Sequence, residues 1–434
     1  MNWARFFLYL SLVLLPFGRL LDRPLWESAG KIAVLSPIEV VLVMSIVAYC
    51  GAKILRSQWP TSQVPGFKVI MLFPLWCVIS LILNKIHYGL SMGATLFSGL
   101  YLVRWMAYCF LYFIAYEATS ERAGIKKLAK WVLMGGVVFA AFGIVQVVFF
   151  PSDFALVLRP NARAFIDYDP QGRRLVSTIL DPNIAAGFLL IPTIVALSFC
   201  IHGFRRWVGP LLLLIMALGA TLSRGGAVGF VVGVTCLLWS SKSRRKTVLK
   251  AIAVLVILFI AASPVLISAL DSFNKLTIED ESAQARLMEW GIALNAARDN
   301  WLIGIGFNTF GYFWDQYGEA REGGSAFGMS NDLILLLVLT GIVGFAIYFR
   351  MYGAMLGTLW ELGSRGIRPW DRAFGRGVWA ATLATVASSL FTSLMFYPHV
   401  MAILWILWAL GRRLQDWARA QDRVTGRVLV SAQT

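Results

Sequence analysis

Charge is scarce in this chain. Only 14% of its 434 residues are Asp, Glu, Lys or Arg, while 58% are hydrophobic and the mean hydropathy is +0.70. A soluble domain needs more polar surface than that, and the apolar residues fall in repeated runs long enough to cross about 30 Å of hydrocarbon at about 1.5 Å per residue. The sequence therefore reads as an all-α, polytopic protein forming a single integral membrane domain over 1–434. Histidine is scarcer still, with three in the whole chain. The five cysteines (Cys50, Cys77, Cys109, Cys200 and Cys236) each lie inside an apolar run, with no CxxC spacing. That pattern offers no ligand set for zinc or iron, so no metal and no other cofactor is expected. Acidic residues number 23 against 39 Lys and Arg, for a formal net charge of +16. Such an excess can mark a nucleic-acid binder, but here the basic residues sit in short loops between apolar runs, which membrane topology explains without a nucleic-acid partner. A cleavable leader is missing too, because MNWARFFLYLSLVLLPFGRL lacks a small-residue cleavage site and reads as a retained first span.

What is present is a series of about twelve apolar runs, near 6–21, 38–55, 67–83, 96–118, 131–150, 177–200, 207–222, 225–239, 251–270, 332–351, 377–395 and 398–410. Alternate connections are rich in Lys and Arg. The opposite ones are balanced or acidic, and residues 271–329 carry nine carboxylates against four basic groups. The positive-inside rule then places both termini in the cytoplasm and brings four irregular features to the outer face. These are a loop at 151–176, the LSRGG turn, a large polar loop at 271–331, and the FYPH corner.

Several polar residues stand where they need explaining. Ser36, Pro37 and Glu39 form a capping-box pattern at the start of the second span. Arg104, inside LFSGLYLVRWMAYCF, sits at membrane depth, where an arginine costs about 2.5 to 3.5 kcal/mol; it needs an acidic partner or binds an anion. Arg173 and Arg174 close the 151–176 loop. Asp-Pro-Asn in STILDPNIAAGFLL marks a late-starting helix whose Asn183 faces a polar cavity. Arg224, in ATLSRGGAVGF, lies just below the outer surface, and its planar, permanently charged fork suits a phosphate.

LDPN opening one span, LSRGG between two later ones, ARLMEW and GIGFNTF in the large loop, and SNDLILLLVLTGIVG returning to the membrane together resemble the O-antigen ligase and Wzy-type polymerase superfamily. The resemblance covers about 176–344. It implies a GT-C-type glycosyltransferase of the bacterial inner membrane that uses, at the periplasmic face, a glycan carried on undecaprenyl pyrophosphate, without metal. It also implies that Arg224 and Arg286 correspond to the two arginines that hold the donor pyrophosphate. Ligases of that superfamily place a histidine at the start of the span after the large loop; here the position is Ser330, followed by Asn331 and Asp332. A serine hydroxyl is no substitute for imidazole as a proton acceptor near neutral pH. Ser330 reads instead as the N-cap of the following helix, and Asp332 becomes the candidate base, although a helix N-terminus stabilises its anion. His399, in FYPH, is the runner-up.

The expected catalytic residues are thus Arg224, Arg286 and Asp332. Arg104, Arg173, Arg174, Asn183, Trp290, Ser330, Asn331 and His399 are expected to contact substrate, and Tyr312, Phe313, Trp314 and Tyr317 to stack on sugar rings. The expected activity is polymerisation of repeat units into an exopolysaccharide or O-antigen, with the lipid-linked donor, a glycan or lipid-linked acceptor and membrane lipid as partners. The alternatives are ligation to lipid A core, protein O-glycosylation, or flipping of a lipid-linked oligosaccharide. A flippase path runs through the bilayer midplane, whereas the polar features here gather on one face.

Overall fold

A computed structural model of the chain describes residues 2–20, 22–28, 31–56, 64–150, 174–241, 281–318 and 329–431. The expected span at 251–270, Arg173 with the rest of 151–173, and residues 271–280 and 319–328 of the large loop lie outside the described residues.

The chain is overwhelmingly helical. Helices α1 (Asn2–Leu14), α2 (Pro37–Ile54), α3 (Phe67–Tyr88), α4 (Met92–Ala118) and α5 (Arg122–Phe149) precede the 151–173 stretch. After it come α6 (Pro182–Ile201), α7 (Val208–Ala220), α8 (Arg224–Ser240), α9 (Glu281–Asp299), α10 (Asp332–Arg365), α11 (Pro369–Ser388) and α12 (Pro398–Ser431). Among the described residues, six helices (α2 to α6 and α10) are long and apolar enough to cross a membrane, and α1 and α8 are shorter apolar helices. The all-α expectation needs one amendment. An antiparallel hairpin, β1 (Arg23–Ser28) and β2 (Lys31–Leu35), pairs Arg23 with Leu35 and Trp26 with Ala33 between α1 and α2. Its Trp26 ring meets Phe97 of α4 edge-on at 5.2 Å.

Helix α6 is the most enclosed of the candidate spans. In its most apolar stretch 94% of the residues are buried, against 33 to 56% for the other five candidate spans. Around it pack α5, α7, α8 and α11. The α8 contact depends on Gly225, Gly229 and Gly233, one turn apart. A Cβ at Gly229 would lie 2.8 Å from the Ala384 carbonyl oxygen of α11, and one at Gly225 would lie 2.9 Å from the Phe391 Cβ. The small stripe therefore lets the helix backbones approach closely.

Helix α10 is broken at Gly341, whose φ of 63° and ψ of −174° are open to glycine alone. Freed backbone groups at membrane depth need partners, and the WLIGIG segment supplies them. Ile305 N–H donates to Val338 O at 2.9 Å, Gly306 N–H to Leu339 O at 3.1 Å, and Ile342 N–H to Trp301 O at 2.8 Å. Helix α3 completes the seal, with Trp76 Nε1 donating to Thr340 O, Ser80 Oγ to Ile303 O and Asn84 Nδ2 to Gly304 O. The loop that follows α9 is in this way stitched into α10. The span expected at 377–395 is also revised: its helix, α11, starts at Pro369 and ends at Ser388, leaving 389–397 irregular.

Candidate functional site

The starts of α6 and α8 are hydrogen-bonded to each other, and the start of α10 is bonded to the segment that leads into α12. Each N-terminus leaves unpaired N–H groups and the positive end of a helix dipole. At α6, the Asp181 carboxylate accepts from Asn183 N–H at 2.8 Å and Ile184 N–H at 3.0 Å, with Pro182 in the first helical position. This confirms the late start read from LDPN; the preceding Leu180 is left-handed, at φ 62°. At α8, Ser223 Oγ accepts from Gly226 N–H at 3.2 Å and donates to Asn183 Oδ1 at 3.0 Å. That bond ties the two helix starts together and sets Arg224 at the first position of α8, half-buried.

Arg174 fixes the same turn from the other side. Its Nε donates to Thr221 O at 2.9 Å, and its Nη2 reaches Leu222 O at 3.4 Å and Asn183 Oδ1 at 3.3 Å. Thr221 and Leu222 end α7, where carbonyls and a negative dipole end favour a cation. Leu222 is itself left-handed, at φ 50°. Arg174, expected to contact substrate, thus holds the turn that ends α7. Asn183 is brought to the Arg224 turn, with its oxygen accepting from both Arg174 and Ser223.

The large loop approaches through α9. Arg286 is half-buried on this helix, and Glu289, three residues on, lies on the same face. Ser330 Oγ donates to Glu289 Oε2 at 3.2 Å. The expectation for Ser330 as an N-cap is corrected here. The cap of α10 is Asn331, in extended conformation, whose Oδ1 accepts from Leu333 N–H at 3.0 Å and Ile334 N–H at 3.1 Å. Asn331 therefore serves the helix, and Ser330 is the hinge contact with α9.

Asp332, the candidate base, lies away from solvent. It is wholly buried; its Oδ2 accepts from the N–H groups of Leu394 and Met395, each at 2.6 Å, and its Oδ1 from Ser393 Oγ at 2.7 Å. Its own N–H donates to Ser389 O at 2.9 Å. The carboxylate clamps the irregular 389–397 segment beneath α10, and that segment leads into α12 and touches Gly225 through Phe391. A chain of contacts therefore runs from Glu289 through Ser330, Asp332 and Ser389 to the Arg224 turn.

Arg104 has the acidic partner that its depth calls for. Its Nε lies 2.6 Å from Glu39 Oε1, its Nη2 donates to Glu39 Oε2 at 3.0 Å, and Nη2 also bonds the Val34 carbonyl of β2. Glu39 closes the expected capping box by accepting from Ser36 N–H at 3.1 Å. Phe313 and Trp314, expected to stack on sugars, are buried in a cluster with Ile292, Ala293 and Val338, and Trp290 packs against it half-buried. His399 is buried at the start of α12, stacked on Tyr397.

One group escaped the sequence reading. Arg19, in the turn after α1, donates its N–H to Thr178 O at 2.9 Å and holds its guanidinium 5.2 Å from the Tyr397 ring centre. It acts electrostatically on Asp181 and Asp22, and burial pushes the Asp22 carboxyl above its ordinary range while Arg19 opposes that rise. The signal was there in PFGRLLD, two opposite charges directly after the first apolar run.

Residues 209–349 match the family model described as O-Antigen ligase. The match runs from α7 into α10, and so contains Arg224, Arg286, Trp290 and Ser330 to Asp332. Arg104, Arg174, Asn183 and His399 fall outside it. No curated protein matches the chain.

Proposed function

We propose that this multi-pass membrane protein, whose residues 209–349 match the O-Antigen ligase family model, is a polysaccharide polymerase. It transfers an oligosaccharide from undecaprenyl pyrophosphate to a hydroxyl of an acceptor glycan, at the periplasmic face of a bacterial inner membrane. The observation that carries this reading is the placement of Arg224 at the first position of α8, in a turn pinned by Asn183 and Arg174 where the N-termini of α6 and α8 meet. Cationic side chains and helix dipoles at one spot favour an anion, and they favour it most when charge grows there.

In this reaction charge grows on the pyrophosphate as its bond to the anomeric carbon breaks. Arg224, together with Arg286 of α9, stabilises that leaving group more in the transition state than in the ground state, which is the condition for raising the rate. Asn183 and Ser330 act as positioning residues, the first holding the Arg224 turn and the second docking the helix that carries Arg286. Asp332 holds the segment leading to α12 and has no part in proton transfer.

A second reading, ligation of finished chains to lipid A core, is favoured by the description of the matched family; Ser330, standing where the resemblance places a ligase histidine, speaks against it. The test is elongation of a lipid-linked repeat unit by the purified protein in nanodiscs, without nucleotide. Arg224→Ala and Arg286→Ala should each abolish elongation while leaving the protein monodisperse; wild-type product from both overturns the pyrophosphate assignment. In cells, loss of a polymerase accumulates single repeat units on the carrier outside, loss of a ligase accumulates long chains on it, and loss of a flippase traps units inside.

A further inference from the structure

At the far end of α6, about 30 Å from Asn183 along a helix of 20 residues, basic side chains from separate connections converge. Lys126, in the second turn of α5, lies within electrostatic reach of Arg122 on the same helix, of Arg206 in the 3-10 turn Arg205–Trp207, and of Arg368 at the start of α11. Asp371 is within the same reach and is already paired with Arg122. Among the described residues Lys126, Arg206 and Arg368 form no ion pair, and the neighbouring Glu121 is exposed and pairs with none of them. Aromatic rings flank the cations instead: Lys126 Nζ lies 5.5 Å from the centre of the Trp370 ring, and the guanidinium carbons of Arg368 and Arg122 lie 5.5 and 5.8 Å from that of Trp417 on α12.

Membrane topology asks only that the connections on one side be basic. It does not ask that their charges be gathered at one place, where each disfavours the next until an anion joins them. The polar groups here are also donors without acceptor capacity, since ammonium, guanidinium and indole N–H all donate. Two of those donors, Arg122 Nε and Trp207 Nε1, are buried with no hydrogen-bond partner among the described residues. Trp207 stacks on Phe199 with ring centres 5.5 Å apart, and Phe199 meets Trp370 at 5.5 Å, so the indole belongs to the aromatic floor beneath Lys126. A phosphate, anionic and rich in acceptor oxygens, complements such a lining. Val208, next to Trp207, and Ile367, next to Arg368, are 44% and 51% exposed. Cations bordered by exposed aliphatic side chains suit an anion that carries an apolar tail.

We propose that Lys126, Arg206 and Arg368 hold the phosphate of an anionic phospholipid in the leaflet opposite the Arg224 turn, with Val208 and Ile367 against its acyl chains. Bound there, the phosphate joins α5 to the turn before α7 and to the start of α11. Helix α11 packs on both α6 and α8, so the lipid braces, from its other end, the pair of helices whose starts form the Arg224 turn. The site is structural and does not depend on which reaction the protein catalyses.

The test is thermal unfolding of the full chain in neutral detergent, titrated with short-chain phosphatidylglycerol, with phosphatidylcholine of the same chain length, or with inorganic phosphate. Phosphatidylglycerol should raise the unfolding temperature saturably, and the other two should leave it unchanged at equal concentration. A basic side chain beside an anionic lipid is worth about a fivefold change in binding, so Lys126→Gln, Arg206→Gln and Arg368→Gln combined should raise the half-saturating concentration about 100-fold. The comparison protein loses three other exposed charges, through Lys68→Gln, Lys130→Gln and Arg365→Gln, and should bind phosphatidylglycerol as wild type does. An equal loss in both triple variants overturns the proposal, because the lipid would then answer to net charge alone. Equal stabilisation by phosphatidylcholine overturns it too, and equal stabilisation by inorganic phosphate replaces the lipid with a free anion. If the triple variant does not fold, Arg206→Gln alone decides, since its side chain is exposed: binding about fivefold weaker supports the site, and wild-type binding overturns it.

Discussion

Asp332 offers the clearest separation of a structural from a chemical role, because the two assign opposite outcomes to a single near-isosteric change. Its carboxylate accepts two backbone N–H groups on one oxygen and the Ser393 hydroxyl on the other. In Asp332→Asn the amide oxygen can keep both backbone donors while the amide N–H₂ turns to Ser393, whose oxygen accepts as readily as it donates. Every partner stays satisfied, and the cost of holding a buried charge is removed. The expected change in stability is within about 1 kcal/mol. Asp332→Ala, in contrast, strands the Leu394 and Met395 N–H groups in a buried setting. At about 1 to 3 kcal/mol each the loss is about 2 to 6 kcal/mol, enough to release the 389–397 segment. A proton acceptor would behave the other way round: Asp332→Asn would slow the chemistry by about 10²- to 10⁴-fold, which is about 3 to 5 kcal/mol of barrier. The assay is thermal unfolding alongside elongation of a lipid-linked repeat unit in nanodiscs. Elongation by Asp332→Asn within a few-fold of wild type, with Asp332→Ala poorly folded, fits the clamp. A well-folded Asp332→Asn that elongates 100-fold more slowly refutes it and restores Asp332 as the base.

Three further outcomes follow from the packing. Gly341→Ala places a Cβ 2.3 Å from the Leu302 carbonyl carbon and oxygen, at a φ of 63° that alanine resists; we expect a loss of at least about 3 kcal/mol, seen as aggregation on size-exclusion chromatography, and a wild-type profile would contradict the break in α10. For the Arg104 and Glu39 pair, with side chains 21% and 12% exposed, either single change to leucine should lower stability by about 1 to 3 kcal/mol, while the double change recovers most of it. Full loss of elongation by a stable double variant would return Arg104 to the substrate. Asn331→Ala should cost about 1 kcal/mol as a lost cap, and Ser330→Ala should leave unfolding unchanged within about 0.5 kcal/mol while weakening the docking of α9; the reverse order in a thermal melt would restore Ser330 as the cap.

Features that a few consecutive residues determine were legible in the sequence. The Ser36 to Glu39 capping box and the late start of α6 at LDPN depend on contacts within one turn, so residue type and spacing suffice. Partners far along the chain were not. Arg104 demanded a carboxylate at its depth, but Glu39 lies 65 residues away and is presented by a helix start whose own cap it closes. The choice between Ser330 and Asn331 as cap turned on one residue of register, which composition leaves open, since both types cap well.

The break in α10 shows why a hydrophobic run can conceal the element that organises a site. LILLLVLTGIVGFAIYF reads as one continuous span, because nothing in it signals loss of helical bonds beyond two glycines, Gly341 and Gly344, and glycine is common in membrane helices. What permits the break is WLIGIG, an apolar stretch in the polar loop some thirty residues earlier, whose backbone fills the vacated positions. The two segments need each other, since neither exposed backbone is tolerable in lipid by itself. The pairing also fixes where the chemistry can happen. By stitching the chain after α9 into the membrane at Gly341, it limits how far α9 can swing, and Ser330 on Glu289 sets the remaining contact. Helix α9, which carries Arg286, is therefore held by two tethers, one at each end of the half-helix 332–340. Loosening either should misplace the arginine without touching it.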